Sequence, residues 1–113
     1  MKDNYFNKTP IHSDSIFWNI DNNGYVTIII ANKGLFNRIA QKLLKKPKKT
    51  YIHLDELGSF IWLNIDGNRN ITDLGKEVYI KFQDNANPLY ERLLIYFKIL
   101  EQNHFIVWKN ERK

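Results

Sequence analysis

The chain has 113 residues, the usual size of one domain and long enough to bury roughly two-thirds of its surface. Its 43% hydrophobic, 14% aromatic and 26% charged residues are those of a globular rather than a disordered chain. Seventeen Lys and Arg against twelve Asp and Glu leave a net charge of +5, which points toward an acidic partner such as nucleic acid, anionic lipid or an acidic peptide. The absence of cysteine excludes disulfide frameworks, Cys-based zinc and iron–sulfur sites, and thiol nucleophiles.

Residues 1–12 read as a polar, flexible lead with no secretory apolar run, and nothing approaches the ~18 consecutive apolar residues of a membrane span. A single soluble, cytoplasmic domain over 1–113 is expected. Ile16 to Ile20 and Tyr25 to Ile30 form a hairpin around Asp21-Asn22-Asn23-Gly24. A loop of two or four residues puts Ile16, Trp18 and Ile20 on one face with Tyr25, Thr27 and Ile29. Lys33 to Lys49 then carries seven basic residues and no acid. Phe36, Ile39, Ala40, Leu43 and Leu44 recur at helical spacing, so this insertion reads as a short basic amphipathic helix ended by Pro47. Tyr51 to Leu54 are extended, with Tyr51 and His53 alternating against Ile52 and Leu54. Asp55 caps a helix from Glu56 to about Ile65, which Asp66-Gly67 breaks. Thr72 is the N-cap candidate of the next helix, Pro88 starts a last one that runs to about Gln102, and Phe105 to Trp108 add a terminal strand.

Strands followed by clustered helices predict an α+β domain. A three-stranded antiparallel sheet packed on three helices is the winged helix-turn-helix plan, here with an extra basic helical segment between the second and third strands.

Catalytic patterns do not emerge. His12, Ser13 and Asp14 are adjacent on an extended chain and cannot form a relay among themselves. His12, His53 and His104 lie far apart without metal-ligand spacing. The five glycines build neither a P-loop nor a dinucleotide fingerprint. No enzymatic role, cofactor or metal is expected.

Two features suggest binding. The last helix has a core stripe of Leu89, Leu93, Tyr96 and Leu100; Tyr90, Leu94 and Phe97 extend it on one flank toward Lys98, and Ile95 and Ile99 emerge on the other beside Arg92. That is too apolar for a one-sided surface helix. Either both sides are buried or one flank lines a groove. The strand Tyr51 to Leu54 would be a sheet edge with unpaired backbone groups, and an edge beside an apolar helix suits addition of a peptide strand. A winged-helix DNA-binding protein is the alternative. It is disfavoured because Arg92 and Lys98 are balanced by Glu91 and Glu101, and no nucleic-acid partner is expected. Peripheral membrane contact through 33–49 is a second alternative.

The run Leu54-Asp55-Glu56-Leu57-Gly58-Ser59-Phe60-Ile61-Trp62, followed by Ile65-Asp66-Gly67-Asn68-Arg69-Asn70-Ile71-Thr72, resembles the L-[DN]-x-x-G-x-x-[IV]-W and D-G-x-x-[TS] elements of the PqqD family, named for pyrroloquinoline quinone biosynthesis protein D. The resemblance spans about Ile16 to Val107. It implies a non-enzymatic adaptor that captures the leader of a ribosomally made precursor peptide and presents it to a modifying enzyme, often a radical S-adenosylmethionine enzyme. In the family the leader adds beside the third strand and lies against the third helix. Here that corresponds to Tyr51, Ile52, His53 and Leu54, and to one flank of the last helix, taken as Tyr90, Leu94, Phe97 and Lys98.

Overall fold

A computed structural model describes residues 4–31 and 49–111. The basic insertion, apart from Lys49, lies outside the described residues. Among the described residues five strands and three α-helices follow in order: β1 (Pro10–His12), β2 (Phe17–Ile20), β3 (Val26–Ala31), β4 (Lys49–His53), α1 (Glu56–Asn64), α2 (Ile71–Phe82), α3 (Leu89–Gln102) and β5 (Ile106–Trp108). The class is α+β, as the sequence predicts. β2, β3 and β4 form a three-stranded antiparallel sheet in that order, and β1 pairs antiparallel with β5 in a second, two-stranded one. A 3-10 turn at Tyr5–Asn7 precedes β1, so the lead expected to be flexible holds two elements between residues 5 and 12.

The hairpin corrects the expected pairing of faces. Asp21 Oδ1 accepts the amides of Asn23 and Tyr25, the Gly24 amide bonds Asp21 O, and Gly24 sits at φ +85°. This is a type I turn closed by a left-handed glycine, which gives a three-residue loop. An odd loop inverts the parity. Ile20 lies opposite Val26 and Trp18 opposite Ile28, so Trp18 and Ile20 share the inner face with the fully buried Val26 and Ile28. Thr27 and Ile29 turn to the outer face with Phe17 and Asn19.

The helices close over that inner face. Asp55 caps α1 by accepting the Gly58 amide at 2.8 Å. α2 is capped by Asn70 rather than Thr72. Asn70 Oδ1 accepts from the Asp73 amide while Asp73 returns a bond to the Asn70 amide, a reciprocal box that satisfies two otherwise unpaired donors. The Thr72 hydroxyl donates instead to Phe6 O at 3.1 Å, and Ile71 N–H reaches Lys8 O at 3.0 Å. The N-terminal segment is thereby tied to the first turn of α2. Trp62, Leu74, Val78, Leu93 and Phe97 fill the centre against Val26 and Ile28. His12 stacks on Trp62 with ring centroids 4.0 Å apart, and its Nε2 bonds Trp62 O at 2.9 Å.

Candidate peptide-binding site

β4 is an edge of its sheet among the described residues. Its backbone direction follows from one bond. Leu54 N–H points inward to Val26 O at 2.8 Å. Because backbone groups alternate sides along a strand, Ile52 and Thr50 also turn theirs toward β3, and Tyr51 and His53 turn theirs outward. The return bond from Val26 N–H does not reach Leu54 O directly. It goes to Ser59 Oγ at 2.8 Å, and the Ser59 hydroxyl donates to Leu54 O at 3.4 Å. One hydroxyl from α1 thus completes the ladder at the end of β4.

The side chains alternate as expected, with Ile52 and Leu54 packed toward the core and Tyr51 and His53 exposed. His53 Nδ1 lies 2.9 Å from Thr27 Oγ1 across the outer face, which orients its ring.

Two residues beyond His53, a cleft of about 260 Å³ opens between α1 and α3. Leu57, Gly58, Ile61, Ile95, Tyr96 and Ile99 line it, with Asp55 and Arg92 among its polar residues. The Tyr96 hydroxyl donates to Gly58 O at 2.7 Å. Burial, and then the Asp55 carboxylate, push that hydroxyl's pKa far up, so it stays a donor. Gly58 makes the approach feasible: a Cβ there would stand 3.1 Å from Asp55 Oδ1 and 3.2 Å from Tyr96 Cε1. Ile95 at the cleft is 61% exposed.

The four α3 residues singled out in the sequence lie elsewhere. Phe97 is 0% exposed and belongs to the core, so it cannot offer a surface pocket. Tyr90 meets the Phe6 ring edge-on at 5.6 Å and lines a separate cleft with Gly75, Lys76, Tyr79 and Ile80. Lys98 Nζ sits 4.6 Å from the centroid of Tyr5. Leu94 falls on the same flank, next to Lys98 on the helical projection. On this side Glu101 accepts from Tyr5 Oη at 3.0 Å and from Trp108 Nε1 at 3.1 Å. Burial raises the Glu101 carboxyl, but those two donors with Lys8 and Lys98 outweigh it and hold the pKa below its usual value. The N-terminal segment therefore occupies the flank chosen from the sequence, and of Tyr51, Ile52, His53 and Leu54 it is Leu54 that comes near the opposite one, beside Gly58, which also meets Tyr96. The signal for that opposite flank is present in the sequence as Ile95 and Ile99, two exposed β-branched residues four apart.

No three His, Asp or Glu side chains converge as a cation site would require among the described residues, and no described helix is long and apolar enough to cross a membrane.

A small α+β domain that offers a sheet edge beside an apolar interhelical cleft is of the peptide-docking type. A family model described as Coenzyme PQQ synthesis protein D (PqqD) matches residues 41–106, more than half of the chain, and the chain belongs to the PqqD family. The match is narrower than the resemblance read from the motifs, and leaves β1, β2 and β3 outside it. Members of this non-catalytic accessory family work with a precursor peptide and partner enzymes in the biosynthesis of coenzyme PQQ and related ribosomally made peptides. Neither the curated proteins nor the solved structures yielded a match.

Proposed function

We propose that this protein is a cytoplasmic leader-peptide adaptor of winged-helix type, which takes up a precursor peptide as a fourth strand on β4 and presents it to a modifying enzyme of the radical S-adenosylmethionine class. The observation that carries the reading is the coincidence of outward-turned backbone groups at Tyr51 and His53 with the apolar cleft that begins at Asp55. Backbone bonds would supply affinity, and the cleft would select side chains on the inner face of the added strand. Tyr96, Ile95 and Ile99, rather than Tyr90, Leu94 and Phe97, are the α3 residues assigned to it.

Titration of the full chain with precursor peptides encoded beside its gene tests this. Binding tighter than about 100 μM is expected. Tyr51→Pro should abolish most of it, because it removes a donor that faces the peptide. Ile52→Pro, by contrast, removes an N–H directed at β3 and should lower the melting temperature. Absence of binding to every such peptide, or full binding by a folded Tyr51→Pro variant, would overturn the reading.

A further inference from the structure

The outer face of the sheet carries a second apolar feature, distinct from the interhelical cleft. The registers place Phe17 opposite Ile29 and Ile29 opposite Tyr51, so three apolar side chains stand in one row across all three strands, on the side away from the helices. Phe17 is 64% and Tyr51 55% exposed, and the row ends at the edge where the backbone of Tyr51 turns outward. Lys49 and His53 flank Tyr51 on the same face, both exposed, and His53 is held by Thr27.

We infer that this row reads the peptide's outer side chains, so that recognition is two-sided. This rests on strand addition to β4. In either strand direction, the added residue opposite Tyr51 puts its side chain on the outer face beside Tyr51, while its two neighbours point to the inner face, the side of the helices. The row therefore selects an apolar residue at the position between the two that face the helices. Two residues along, opposite Lys49, the same face favours an acid, since a cation directly across an exposed pair is matched by an opposite charge. The recognised segment has three consecutive apolar residues with a carboxylate two positions from the middle one, a pattern that one-sided docking into a cleft does not generate.

A displayed library of random heptapeptides, panned on the full chain and on Tyr51→Pro, Tyr51→Ser, Phe17→Ser and Lys49→Glu variants verified as folded by circular dichroism, tests this. Wild-type binders that Tyr51→Pro loses should be enriched for the consecutive apolar triplet. With one such synthetic peptide, replacing the middle residue by Ser should weaken binding to wild type about two- to fivefold and leave binding to Tyr51→Ser unchanged. Lys49→Glu should reverse the preference from acid to base. Edge-dependent binders with a random middle position would overturn the two-sided reading and leave strand addition standing. Failure to recover any binder sensitive to Tyr51→Pro would overturn both.

Discussion

The two flanks of α3 have similar composition and opposite fates. Tyr90 and Lys98 on one side meet the N-terminal segment, where Phe6 and Tyr5 lie against them. Arg92, Ile95 and Ile99 on the other border a cleft. Apolar content alone does not separate a covered surface from an open one, because a segment nearly one hundred residues distant in sequence decides which flank is covered. The polar atoms make the distinction. On the covered side Glu101 gathers two donors and two cations, whereas on the open side Arg92 donates to Asn85 O at 2.9 Å and lines the cleft together with the isoleucines.

That contrast can be broken at its centre. Phe97→Ala removes a fully buried ring from between the flanks, and unfolding titrations should show a loss of about 3–5 kcal/mol. Glu101→Ala leaves the Tyr5 hydroxyl and the Trp108 indole N–H without their acceptor; a loss of about 1–2 kcal/mol is expected, with hydrogen exchange rising selectively across residues 5–12. Acid should act on the same segment. Burial lowers the His12 pKa, opposed only in part by the Trp62 carbonyl, so the unfolded chain binds that proton more readily and stability falls as pH drops through the unfolded value of about 6.5. The melting temperature should therefore decline from about pH 7 to about pH 5, and less steeply in His12→Asn. Smallest in stability, and sharpest for the comparison, are Ile95→Ser and Leu94→Ser. Both should stay within about 0.5 kcal/mol of wild type, yet only Ile95→Ser should weaken peptide binding in a titration.

Much of the sheet and helix order is legible in the sequence because the relevant signals are local. Asp55 before an apolar run, Asp66-Gly67 after it, and Asn-Gly between β-branched segments each act within a few residues. The parity of the hairpin is not legible in this way, since Asn22-Asn23-Gly24 accommodates several loop lengths and the Asp21 carboxylate selects one of them by capturing the Asn23 and Tyr25 amides. β1 is hidden for a different reason. Pro10 lowers any strand reading, and the strand exists because Ile11 finds Val107 across the molecule. The edge residues Tyr51 to Leu54 are readable from alternation alone. The choice between the α3 flanks is not, because it depends on where Tyr5 and Phe6 come to rest.

Ser59 links the end of β4 to α1 through a single hydroxyl that receives from Val26 and gives to Leu54. A strand edge held only by its neighbour would rock relative to the helices, and an incoming peptide would have to quench that rocking. Anchored in this way, the end of the edge is tied directly to the helix that borders the cleft. For a peptide added to this edge as proposed, the entropy lost on docking would then fall mainly on the peptide, and the spacing between its backbone register and its inward side chains would be fixed before it arrives.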